Sequence, residues 1–110
     1  MPYLDASDLP HETAGRRFRA LLQQPGILRL PGAHNGMSAL QARAAGFEAL
    51  YLSGAAMTAS MGLPDLGVIT VDEVAFFVRQ IVRAAGLPLL VDGDTGYGNA
   101  MTVHFVVRAF

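Results

Sequence analysis

The stretch Leu89-Leu90-Val91-Asp92-Gly93-Asp94-Thr95-Gly96-Tyr97-Gly98 carries an apolar run into two carboxylates and then into a glycine-rich turn. The run from Pro88 to Asp92 has no polar interruption before the acid, which is the pattern of a strand buried on both faces in a parallel sheet. Side chains two apart on a strand share a face, so Asp92 and Asp94 can converge on one point at the strand's end. Two hard oxygen donors with no cysteine nearby suit Mg²⁺ or Mn²⁺ better than zinc. The plain alternative is that either aspartate caps the following helix or closes an Asx turn. The pairing of the acids, with Gly93, Gly96 and Gly98 leaving the backbone open to a ligand, favours a site.

The elements on either side of this strand set its fold. Ala14, Phe18, Leu21 and Leu22 share a stripe that predicts an amphipathic helix from about Pro10 to Gln24, closed by Pro25-Gly26. Ile27 to Leu30 reads as a short first strand, followed by the loop Pro31-Gly32-Ala33-His34-Asn35-Gly36 and a small-residue helix ending near Gly46. Phe47 to Leu52 reads as a second strand that delivers Ser53-Gly54-Ala55-Ala56 into a loop containing methionine and glycine. Thr70 and Glu73 form a capping box for the clearest helix, whose apolar face is Val74, Phe77, Val78, Ile81, Val82 and Ala85 before Gly86 and Pro88 end it. A last helix begins near Asn99, with Val103, Val106, Val107 and Phe110 on one side.

Helices alternating with buried strands mean βαβ units, hence an α/β barrel or a doubly wound sheet. The final helix stops at Phe110 in mid-pattern. The expectation is therefore that residues 1–110 form one incomplete domain of a longer α/β protein, with no second domain. A complete (β/α)₈ barrel takes roughly 250 residues.

Composition narrows the function classes. The chain is 52% hydrophobic, carries a net charge of −1, and all eight of its basic residues are arginine, with no basic run longer than the pair Arg16-Arg17. That footprint is not one of a nucleic-acid binder. The absence of cysteine excludes disulfides and a thiolate zinc site, and accords with a cytoplasmic location. Asp5, Asp8 and Glu12 among the first residues argue against a secretory signal, and no run of about 18 apolar residues suggests a membrane span.

Other motifs are weaker. Gly93, Gly96 and Gly98 are spaced G-x-x-G-x-G, the reverse of the dinucleotide fingerprint, and two adjacent acids would repel a pyrophosphate. Ser53-Gly54-Ala55 at a strand end is either tight-turn chemistry or a set of backbone N–H donors for a carboxylate. Asp65, beside Pro64, reads in isolation as a turn residue, and Asp72 and Glu73 as helix-capping acids. His11, His34 and His104 do not cluster, and Met57 and Met61 read as packing residues.

Four segments together carry a resemblance over about Phe18 to Phe110. They are Pro31-Gly32-Ala33-His34-Asn35-Gly36-Met37-Ser38-Ala39-Leu40, Tyr51-Leu52-Ser53-Gly54-Ala55, Gly62-Leu63-Pro64-Asp65-Leu66-Gly67, and Asp92-Gly93-Asp94-Thr95-Gly96-Tyr97-Gly98. In this order and spacing they resemble the methylisocitrate lyase branch of the isocitrate lyase and phosphoenolpyruvate mutase superfamily. The resemblance implies the N-terminal part of a (β/α)₈ TIM barrel, about three βα units after an opening helix, with Mg²⁺ at the strand ends. By position, Tyr51, Ser53, Gly54 and Ala55 match the substrate-binding segment, Asp92 and Asp94 the acids that hold the metal, and Asp65 an acid near the site with a catalytic role. Gly93 replaces the more usual Ala between the acids, and Ala55 stands where some relatives have Gly.

The implied substrates are small 2-hydroxy or 2-oxo carboxylates, and the implied reaction is reverse aldol cleavage of 2-methylisocitrate to pyruvate and succinate. The resemblance also implies a homo-oligomeric full-length enzyme whose general acid is a cysteine on a Cys-Gly-His loop. This chain contains no cysteine, so alone it is expected to be inactive. Phosphonopyruvate mutase or hydrolase and oxaloacetate decarboxylase activities on the same scaffold are the alternatives, with a non-catalytic fragment as the third.

Overall fold

The computed structural model describes residues 12–110. Pro10 and His11 lie outside the described residues, and the opening helix, expected from about Pro10, begins at Ala14, with the Thr13 side chain as N-cap accepting from Arg16 N at 3.2 Å. The elements are α1 (Ala14–Gln23), α2 (Gly36–Ala44), β1 (Leu50–Leu52), α3 (Gly54–Ser60), α4 (Val71–Ala85), β2 (Leu89–Val91) and α5 (Ala100–Ala109).

The two strands pair in parallel, Leu50 opposite Leu89, Tyr51 opposite Leu90 and Leu52 opposite Val91. A parallel pair needs a long crossover, which α3 and α4 supply. Hydrogen bonds extend the pairing one residue at each end, from Leu50 N to Pro88 O (2.9 Å) and from Asp92 N to Leu52 O (3.0 Å). Asp92 is thus hydrogen-bonded to the sheet at its own N–H, immediately past the strand.

The expected first strand is displaced. Ile27 to Leu30 forms no regular strand, and Ile27 is 93% exposed. The chain pairs with β1 only a few residues later, through a parallel bridge of Gly32 with Tyr51. Tyr51 N donates to Pro31 O, and Ala33 N donates to Tyr51 O, both at 3.0 Å. The reason is register: β1 begins only at Leu50, so the partner it can reach is Pro31–Ala33, and Pro31 has no N–H with which to extend the ladder. The expected loop after Ser53 is also corrected, because Gly54–Ser60 is the short helix α3, with the Ser53 side chain as N-cap accepting from Ala56 N at 3.2 Å. Small residues gave it no apolar period to read.

Helices cover one face of the sheet. Leu50 and Leu52 are fully buried with Met57 of α3 and with Val74 and Ile81 of α4, and burying each such side chain is worth about 1.5–3 kcal/mol. Tyr51 and, in register with it, Leu90 point to the opposite face, where Leu90 is 43% exposed. β2 is therefore not buried on both faces among the described residues. Close packing of α2 on α4 uses Gly36, where a side chain would meet Ala84 Cβ at 3.4 Å.

The helix ends follow the sequence closely. Glu73 N donates to Thr70 Oγ1 (3.2 Å) and Thr70 N to Glu73 Oε1 (2.9 Å), completing the capping box of α4. Gly86 ends that helix in the left-handed conformation (φ 63°), which a β-carbon would disfavour. Arg17 and Arg43 donate to the Gly86 and Ala85 carbonyls at 2.7 and 3.0 Å, tying α1 and α2 to the same end of α4. Val74, Phe77, Val78, Ile81 and Ala85 are buried as expected, whereas Val82 is exposed. On α5 only Val106 is buried, and Val103, Val107 and Phe110 are exposed. No helix of the described residues is long and apolar enough to cross a membrane.

Candidate active site

The carboxyl ends of the parallel strands open into a cavity of about 1090 Å³. Asp92 and Asp94, from the turn after β2, line it together with Asp65 of the loop before α4 and Gly54 of α3. The structure thus gathers three sequence-predicted acids and one predicted substrate-binding residue. Tyr51, Ser53 and Ala55 are not among the residues that line the cavity. Asp72, read as a capping acid, also faces it from the first turn of α4. His34 lies outside it, and His104 is exposed on α5.

Asp92 is the most firmly held of the acids. Its Oδ2 accepts from Gly54 N at 3.2 Å, and its Oδ1 accepts from Asp94 N at 3.0 Å. The carboxylate therefore sits at the start of α3 and also closes an Asx turn, so the two readings of this residue are compatible rather than exclusive. Gly54 permits a close approach: a Cβ on it would lie 2.7 Å from Asp92 Oδ2, so the carboxylate would have to shift.

Asp94 is reached by a change of backbone direction. β2 ends at Val91, and Asp94 has φ 49°, a left-handed conformation that aspartate tolerates better than most residues. The i, i+2 alternation of a continuing strand therefore does not place the second acid; a turn does. Its Oδ2 points toward the loop carrying Asp65, where a Cβ on Gly67 would meet it at 3.1 Å.

Two cavity residues were missed by sequence reasoning. Thr58 is buried, and its hydroxyl donates to the Gly54 and Ala55 carbonyls at 3.2 Å each, fixing the first turn of α3. Tyr97 packs its ring against the core, and its hydroxyl donates to Asp92 O over 3.3 Å. Burial, reinforced by the negative charge of Asp92 and Asp94, raises its pKa above the usual 10.0. The available signal was an aromatic residue set between Gly96 and Gly98; nothing in the sequence marked Thr58.

The donor chemistry suits a hard divalent cation. Among the described residues no group of three or more His, Cys, Asp or Glu is close enough to hold a metal by itself.

Comparison with known proteins gives this geometry a context. The model of the phosphoenolpyruvate phosphomutase family matches residues 18–110. The chain belongs to that family. The 2-methylisocitrate lyase of Bacillus subtilis is 62% identical over 97 residues, covering 88% of this chain and 32% of the relative. Among solved structures, the phosphoenolpyruvate phosphomutase of Streptomyces platensis subsp. rosaceus superposes with a TM-score of 0.83 at 40% identity, covering 88% of this chain and 34% of the other. A phosphonopyruvate hydrolase in complex with oxalate and Mg²⁺ superposes with a TM-score of 0.82 at 34% identity, covering 89% and 35%. The chain spans about a third of the length of the curated relatives it matches. As a member of the phosphomutase family it has the fold of the N-terminal part of a TIM barrel.

Proposed function

We propose that this chain is the metal-positioning part of a Mg²⁺-dependent carbon–carbon lyase that cleaves 2-methylisocitrate to pyruvate and succinate. The observation that carries the reading is the convergence of Asp92, Asp94 and Asp65 on one cavity at the strand ends, in a chain 62% identical to a 2-methylisocitrate lyase. Asp92 and Asp94 would hold the ion, directly or through water. Bound there, Mg²⁺ would supply Lewis-acid stabilisation to the substrate's hydroxyl and carboxylate oxygens as the 2-oxo acid develops.

The chain's own residues prepare that site. Gly54 N and Asp94 N hold both oxygens of Asp92, so its carboxylate is oriented before any ligand arrives. Thr58 keeps the first turn of α3 in place, and with it the N–H that orients Asp92. Asp65, exposed on its loop, contributes a further carboxylate on the wall nearest Asp94. The reaction requires removal of the substrate's hydroxyl proton, scission of the carbon–carbon bond and protonation of the succinate carbanion.

The test is product formation by the full-length protein offered 2-methylisocitrate, phosphonopyruvate and oxaloacetate in parallel, read as pyruvate for all three and also as phosphoenolpyruvate for phosphonopyruvate. The reading requires 2-methylisocitrate to have the highest kcat/KM and EDTA to abolish turnover. Preference for phosphonopyruvate or oxaloacetate would replace the lyase with another chemistry of the same family.

A further inference from the structure

We propose that Tyr97 is a positioning residue for the acid pair, holding the turn from Asp92 to Tyr97 in the shape that presents both carboxylates to the cavity. The proposal rests on the reading of Asp92 and Asp94 as the metal-holding acids. Three observations carry it.

The first is backbone conformation. Tyr97 has φ 64°, in the left-handed region, which costs a residue with a β-carbon more than its preferred conformations do. Glycine would be free of that cost, and glycines stand on both sides of it. A tyrosine kept in this conformation must be over-determined by what its side chain does.

The second is where the side chain goes. Its ring packs against the buried core, while the same residue forms part of the cavity wall. The ring therefore anchors the far end of the turn to the rigid part of the fold. The third is closure: Gly96 N donates to Gly93 O at 2.9 Å, Asp94 N to Asp92 Oδ1 at 3.0 Å, and the Tyr97 hydroxyl returns to Asp92 O over 3.3 Å. The last contact is long for an O–H···O bond, so the ring carries more of the restraint than the hydroxyl.

Mn²⁺ binding to the full-length protein, followed by the electron paramagnetic resonance signal of free Mn²⁺, tests this without recourse to turnover. Tyr97→Phe keeps the ring and is expected to weaken Mn²⁺ binding about threefold, the lower end of what a lost hydrogen bond gives. Tyr97→Ala, which loses the anchor, is expected to weaken it more than tenfold. Asp94→Asn is the control for the metal reading and is expected to abolish binding. Wild-type Mn²⁺ affinity in both Tyr97 variants, with binding lost in Asp94→Asn, would overturn the proposal and leave the metal site standing. Undiminished binding in Asp94→Asn would overturn the metal reading and the proposal with it. A Tyr97→Ala protein that melts earlier but binds Mn²⁺ like wild type would make Tyr97 a packing residue only, again against the proposal.

Discussion

Replacing Gly54 by alanine sets two effects against each other, and the structure says which wins. Gly54 opens α3, and alanine there gains at most about 0.5–1 kcal/mol of helix propensity. Against it, the new Cβ would stand 2.7 Å from Asp92 Oδ2 and 3.3 Å from its Cγ. Reaching an ordinary separation of about 3.5 Å moves the carboxylate by roughly 0.8 Å. That displacement breaks the Gly54 N to Asp92 Oδ2 bond, a hydrogen bond to a charged group of the kind worth about 1.5–3 kcal/mol. The net effect on folding is a loss of about 1–2 kcal/mol, which the domain should survive. The effect on chemistry is larger, because misplacing a reacting or ligating group by about 1 Å can cost on the order of a hundredfold. Gly54→Ala in the full-length protein should therefore lower kcat/KM for 2-methylisocitrate about a hundredfold and weaken Mn²⁺ binding in the absence of substrate, with little change in far-UV circular dichroism. The substrate-free measurement separates displacement of Asp92 from any obstruction of the substrate itself. Activity and Mn²⁺ affinity both within twofold of wild type would refute the coupling of α3 to the acid.

Further expectations concern stability and titration. Thr70→Ala removes the side-chain half of the α4 capping box and should cost about 1 kcal/mol in a urea unfolding titration; an unshifted midpoint would mean that the box contributes nothing. Ile81→Ala empties a site with 0% exposure at the centre of the core and should cost about 2–5 kcal/mol by the same measurement, so a loss below 1 kcal/mol would place the core elsewhere. The Tyr97 phenol should ionise above its ordinary 10.0, read as the difference in absorbance at high pH between wild type and Tyr97→Phe. Because the folded pKa is the higher one, the stabilisation is complete below pH 10 and is lost as pH rises through the folded value. Ionisation of Tyr97 at or below 10 would contradict the burial and the negative surroundings assigned to it.

Much of this arrangement was legible because local chemistry dictated it. Thr70 and Glu73 marked the start of α4, Gly86 its end, and the Leu89–Val91 run the strand that leads to the acids. Asn99 likewise marked the start of α5, its side chain accepting from Thr102 N at 3.1 Å. What escaped depended on register or on distant partners. Ile27 to Leu30 has the composition of a strand, but strand pairing needs a neighbour, and β1 reaches the chain only at Pro31 to Ala33. The helix α3 is built from small residues without periodicity and is defined by its Ser53 cap and by Asp92, which lies 38 positions from Gly54 in sequence. Asp92 and Asp94 were expected to share a face by strand alternation, but β2 ends at Val91 and a left-handed Asp94 brings the second acid to the cavity wall. Val82, Val107 and Phe110 follow apolar periodicity yet are exposed among the described residues, because periodicity defines a face but not what covers it.

The location of the metal bears most directly on all of this. Crystals of the full-length protein grown with Mn²⁺ and oxalate, measured at the manganese absorption edge, give the ion's position from anomalous scattering alone. The expected peak lies in the cavity at the strand ends, with carboxylate oxygens of Asp92 or Asp94 at direct coordination distance or one water away and oxalate on the ion's open side. A peak elsewhere, with both aspartates engaged only in their backbone hydrogen bonds, would make them turn formers and leave the lyase reading without its metal.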